Sequence, residues 1–181
     1  MRWLQSILKY RSGGRPMAAL TAGSNAPEFE LQAMDGRRFV LRDELAKGPV
    51  VLAFFKASCP TCQYAFPFFE RLEQAYGHTG VRIIGVSQND PKQTADFTKE
   101  FGVSFPVLLD DTDTYPVSNA YGLTNVPSIF WIGQDGEIEV SSVGWVKADF
   151  EAIGKKMAAA RNIPPTSVFN AGEDVRDFRA G

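Results

Sequence analysis

Residues 50–62 run Val50-Val51-Leu52-Ala53-Phe54-Phe55-Lys56-Ala57-Ser58-Cys59-Pro60-Thr61-Cys62. From Pro49 to Phe55 the chain is continuously apolar and partly β-branched or aromatic, as a central strand buried on both faces requires. Proline suits the first position of a helix, because the N–H it lacks would have no partner there. The strand therefore turns into a helix that begins at Pro60, with Cys59 as its N-cap. Downstream, Cys62, Ala65, Phe66, Phe69, Leu72 and Tyr76 recur at spacings of three and four, and Gly77 ends the apolar face they make.

The same reasoning places the rest of the chain. Glu28 to Leu31 and Arg38 to Leu41 alternate polar with apolar around Asp35-Gly36, which predicts a β-hairpin near the start. Residues 43–47 make one helical turn. Val81 to Ser87 is the next strand, and Pro91 to Phe101 has helical spacing until Gly102. Phe105 to Leu109 gives a short strand, Tyr115 to Tyr121 a short helix, and Ser128 to Ile132 a strand. Asp135-Gly136 turns the chain back into Glu137 to Val143, and Val146 to Ala160 closes with a helix carrying Phe150, Ile153 and Met157. Beyond Asn162, Pro164-Pro165 and mixed polar residues predict an irregular tail. Alternating strands and helices followed by a hairpin give the α/β class, with a central mixed sheet covered by helices on both faces. The organisation expected is an N-terminal extension (1–19), one domain (20–161) and a C-terminal tail (162–181).

Chemistry concentrates at the strand-to-helix junction. The Cys59 sulfur, as N-cap, would face unpaired backbone N–H groups and the positive end of the helix dipole, both of which favour thiolate over thiol. Cys62 lies one turn further in, on the core-facing stripe, and is better placed to resolve a mixed disulfide than to start one. Free cysteines are often only small buried apolar residues, but a CxxC at this junction in a strand–helix–strand context favours redox chemistry. Structural zinc needs four ligands, and two Cys with one His fall short; no metal or other cofactor is expected. His78, between Gly77 and Gly80, reads as a solvated turn residue.

The whole chain narrows the function classes. Among 181 residues, 44% are hydrophobic and 22% charged, ordinary for a globular protein. A formal charge of −2 gives no field to gather nucleic acid or anionic lipid. The longest apolar runs fall far short of the ~20 residues that span a bilayer, so no membrane partner is expected. Near the start, Gln5, Ser6 and Lys9 interrupt the apolar residues of a would-be secretory leader, from which a cytoplasmic location is expected.

The run from Val50 to Cys62 resembles the strand and active-site turn of the thioredoxin superfamily. Pro67, eight residues after Cys59, matches a helix-kinking proline, and Val126-Pro127 stands at the place of that superfamily's cis-proline loop. With Ala22-Gly-Ser-Asn-Ala-Pro-Glu-Phe-Glu-Leu31 and the Asp35-Gly36 turn, residues 20–160 resemble the redoxin branch. That branch holds the alkyl hydroperoxide reductase and thiol-specific antioxidant proteins alongside TlpA-like oxidoreductases. The resemblance implies a thioredoxin-like fold in which Cys59 attacks and Cys62 resolves. It also implies that Val126 and cis Pro127, with Pro60 and Thr61, meet an extended substrate by main-chain recognition. Two positions depart from the pattern. Ala53 stands where many thioredoxins have a buried Asp, and Ser58 where they have Trp, which leaves proton delivery to Cys62 unassigned. Lys56 is a nearby cation that could favour a thiolate.

Three functions follow. The first is a thiol–disulfide oxidoreductase acting on protein or small-molecule disulfides and recycled by a thiol reductant or reductase. In a reducing cytoplasm its net direction would be reduction. The second is a thiol peroxidase with antioxidant activity, in which Cys59 becomes a sulfenic acid and condenses with Cys62. The family's peroxidatic pattern Pro-x-x-x-Thr-x-x-Cys fails here, with Leu52 and Lys56 at its positions before Cys59. The third is a non-catalytic redoxin module that binds a partner through the cis-proline edge.

Overall fold

The computed structural model describes residues 18–78 and 80–181; the expected extension over residues 1–19 lies almost wholly outside them. The apolar run is the strand β3 (Val50–Phe55), and all six of its residues have no exposed surface. It pairs in parallel with β4 (Arg82–Ser87) and antiparallel with β6 (Ser128–Ile132). Beyond β4 come β5 (Val107–Leu109), parallel to it, and the N-terminal hairpin of β1 (Glu30–Ala33) and β2 (Arg38–Val40). Beyond β6 lies β7 (Ile138–Val143), antiparallel. Among the described residues the mixed sheet has seven strands, in the order β2-β1-β5-β4-β3-β6-β7.

Alternation along β3 divides the interior in two, because successive strand residues point to opposite faces. Val51, Ala53 and Phe55 pack under α2 (Pro60–Tyr76), α3 (Pro91–Glu100) and α5 (Lys147–Ala159). Val50, Leu52 and Phe54 pack against α1 (Leu41–Leu45), with Val117 of α4 (Pro116–Ala120) and the following Tyr121 on the same face. The first layer is dense in rings: Phe55 lies 4.5 Å from Phe66 and 4.7 Å from Phe97, centroid to centroid. Each such buried Phe contributes about 1.5–3 kcal/mol relative to exposure. Local chemistry sets the helix starts. Pro91 opens α3, and the Asp90 carboxylate caps it by accepting the Gln93 N–H at 2.8 Å.

The tail packs against the body. The Phe169 ring meets Phe68 at 5.4 Å and Phe150 at 6.0 Å. Arg71 donates to both carboxylate oxygens of Glu173, at 2.7 and 2.9 Å, and to the Val168 carbonyl at 3.0 Å. This pairing is the main reason the Glu173 carboxyl is held down at about 2. Trp145 donates its indole N–H to the Arg176 carbonyl at 2.6 Å. Where irregular chain was expected, Phe178–Arg179 forms a short strand, β9, antiparallel to β8 (Trp145–Val146). Two-residue strands carry no alternation to read in the sequence. Among the described residues, no helix is long and apolar enough to cross a membrane.

Candidate active site

The site forms where β3 and β4 end at their carboxyl edges, the usual place for chemistry in such sheets. The loop leaving β3 is pinned on two sides. The Ala57 N–H donates to Asn89 Oδ1 at 2.7 Å, and the Ala57 carbonyl accepts from Gln63 Nε2 at 2.8 Å. The Cys59 N–H closes a turn onto the Lys56 carbonyl at 3.1 Å. Cys59 thereby reaches the helix entrance in extended conformation (φ −82°, ψ 115°) and serves as N-cap of α2, as expected.

The two sulfurs occupy unlike surroundings. Cys59 is half-buried; its Sγ accepts the Cys62 N–H at 3.3 Å and donates to the Val126 carbonyl at 3.2 Å. Cys62 has no exposed surface. Burial, and secondarily its hydrogen bond with Cys59, pushes the Cys62 thiol far above the usual range. We therefore expect iodoacetamide at pH 8 to alkylate Cys59 in the reduced native protein roughly tenfold or more faster than Cys62. Peptide mapping reads the ratio, and equal rates would refute the asymmetry.

The same shift predicts a pH effect on stability. Folded Cys62 keeps a proton that the unfolded chain loses above about pH 8.5. The unfolded state then binds fewer protons, so the stability of the reduced form falls as pH rises from there. Urea midpoints at pH 8 and pH 10 measure the difference.

Of the other nominated residues, Val126 touches Cys59 directly and Pro60 and Thr61 follow it in the chain. The Val126–Pro127 peptide is cis, and the Pro127 carbonyl accepts the Gly144 N–H at 2.8 Å. Pro60 is exposed at the helix start. Thr61 is only 4% exposed, because the tail covers it and its hydroxyl donates to the Ala180 carbonyl at 2.6 Å. Lys56 carries its ammonium over the Tyr115 ring, 5.3 Å from the centroid. His78 is exposed. Among the described residues, no three His, Cys, Asp or Glu side chains group to hold a metal ion.

Sequence reasoning missed Asn89 and Gln63, which fix the loop, and residues 178–181, which close over it. Asn89 had a usable signal, since it follows β4 at the carboxyl edge of the sheet and immediately precedes the Asp90 cap. Gln63 is one polar helix residue among several and had none.

Comparison with known proteins agrees with this geometry. Residues 22–141 match the AhpC/TSA family. The chain is 35% identical over 122 residues to the thiol-disulfide oxidoreductase ResA of Geobacillus thermodenitrificans, covering 67% of this chain and 68% of that one. A putative protein disulfide isomerase from Bacteroides thetaiotaomicron superposes with a TM-score of 0.73 at 20% identity, over 81% of this chain and 94% of that one. A secreted Mycobacterium tuberculosis disulfide oxidoreductase homologous to E. coli DsbE superposes with a TM-score of 0.59 at 20% identity, over 72% of this chain and 95% of that one.

These relatives correct the expectation of a cytoplasmic location, since the mycobacterial oxidoreductase of this fold is secreted. That expectation rested on the interrupted apolar residues near position 5, and such an interruption does not report a compartment. The argument that a reducing cytoplasm sets the direction of electron flow falls with it.

Proposed function

This chain belongs to the AhpC/TSA family and is a thiol–disulfide oxidoreductase, and from that premise we propose that Cys59 is its attacking sulfur and Cys62 its resolving one. Val126, Pro127, Pro60 and Thr61 form the surface that receives the substrate. The observation that carries this reading is the asymmetry of the pair: one sulfur at the helix entrance accepting an N–H, its mate buried one turn behind.

The exchange follows directly. Cys59, as thiolate, attacks one sulfur of a substrate disulfide; that S–S bond breaks, and the distal sulfur leaves as a thiolate that takes up a proton. Cys62 gives up its proton and attacks the Cys59 sulfur of the mixed disulfide. A Cys59–Cys62 disulfide forms, and the second substrate thiol departs protonated. Two electrons pass from the pair to the substrate, and an external thiol reductant or reductase restores the dithiol. The reverse sequence oxidises a dithiol, and the relative potentials of pair and partner set the direction.

The test is reduction of insulin disulfides by the full chain with a dithiol recycling agent, run beside hydrogen peroxide consumption. Turnover of insulin with little peroxide loss is the expected result. Peroxide consumption of equal or greater rate would instead establish the antioxidant reading, and activity in neither assay would leave only a binding module.

A further inference from the structure

Residues 178–181 lie on the surface assigned above to substrate. Their contacts are almost entirely main-chain. β9 pairs with β8 through Trp145↔Arg179 and Val146↔Phe178. The Thr61 hydroxyl, between the two cysteines, donates to the Ala180 carbonyl at 2.6 Å. The Asn125 amide donates to the Gly181 carbonyl at 3.2 Å. A carbon added at Gly181 would stand 2.5 Å from the Val126 oxygen, the same oxygen that accepts from the Cys59 sulfur. One added at Gly144 (φ +76°) would stand 2.5 Å from the Arg179 oxygen. The two backbones are in close contact, and glycine permits the approach at both places.

Main-chain pairing of this kind is the means by which a sheet edge accepts any extended polypeptide. One side-chain contact adds selectivity: the Arg179 guanidinium sits 5.4 Å above the centre of the Tyr64 ring, a cation–π geometry. Phe178 is 62% exposed, so this end of the tail buries little apolar surface and its release costs little burial energy. The firm anchors lie upstream, at Phe169, at Glu173 on Arg71, and at the Arg176 carbonyl on Trp145.

Resting on the oxidoreductase reading, we infer that the cleft beside Cys59 is a binding site for an extended polypeptide bearing a basic side chain, with residues 178–181 as its resident occupant. An incoming substrate replaces the tail contact for contact: carbonyls on Thr61 and Asn125, a cation on Tyr64. The tail lowers the effective affinity for substrate by the fraction of time it fills the cleft; a tail in place nine-tenths of the time raises KM about tenfold.

The experiment compares the full chain with a variant lacking residues 178–181, using a fluorescently labelled peptide of residues 174–181 as probe. Anisotropy should show the peptide binding the shortened variant about tenfold more tightly than the full chain, and the KM for insulin should fall by a similar factor at nearly constant kcat. Replacing the peptide's second arginine by alanine should remove most of its binding. Equal peptide affinity for both chains, with unchanged KM, overturns the inference while leaving the oxidoreductase reading intact. Peptide binding by a shortened chain that reduces no disulfide would support the cleft and refute that reading instead. If the deletion unfolds the chain, Glu173→Gln replaces it, because it loosens the Arg71 anchor and leaves the cleft whole. It should lower KM roughly two- to threefold, and no change there overturns the inference.

Discussion

Cys59→Ser is expected to abolish disulfide reduction, whereas Cys62→Ser should stop turnover after one step and accumulate a covalent adduct with the substrate. The difference follows from position. Cys59 meets solvent at the helix entrance, and a serine there cannot attack sulfur at neutral pH. With Cys62 changed, the first exchange still occurs and the mixed disulfide at Cys59 has no resolving thiol one turn behind it. Non-reducing mass spectrometry reads the adduct directly. An adduct that forms on Cys59→Ser and not on Cys62→Ser would reverse the assigned roles.

The largest structural effect is expected at Trp145. Its side chain is fully buried, with ring centroids 4.9 Å from Phe68, 5.0 Å from Phe150 and 5.2 Å from Tyr64. It ties the body to the tail through the Arg176 carbonyl. Trp145→Ala removes that packing and leaves a cavity between α2 and α5, at a cost of about 3–5 kcal/mol. Against the ~5–15 kcal/mol that holds a domain folded, this is a large fraction. Trp145→Phe keeps one ring but loses the indole N–H and part of the buried ring volume, so it should cost less than the alanine variant, with about 1 kcal/mol of the loss from the hydrogen bond. Urea unfolding measures both. A loss below about 1 kcal/mol for the alanine variant would show that the aromatic layer closes without this ring.

Much of this architecture was legible from residues, for physical reasons that differ by element. The strand at Ser128–Ile132 was placed to the residue, because a continuous apolar run bounded by a proline leaves little freedom. The strand expected from Phe105 begins instead at Val107, since Pro106 has no N–H for the ladder. The placement of Cys59 as N-cap and of Cys62 on the buried stripe was legible because Pro60 marks a helix start and the three-and-four spacing marks its inner face. Thr61 was nominated for substrate contact, but its burial under Ala180 was not foreseen, since no pattern in residues 178–181 marks a backbone-held strand. Asn89 was passed over for a related reason. Its importance lies in one hydrogen bond across 32 positions to Ala57, and pairings at that range leave no periodic trace.

The seat of Gly181 on Val126 also bears on how the molecule can be handled. Whatever is attached to the chain at that glycine sits at the mouth beside the Cys59 sulfur. A polyhistidine handle there would bring metal-loving imidazoles within reach of a thiol during purification, and a bulky fusion would crowd the entrance. A small solvent-sensitive dye at the same point would report when the cleft empties.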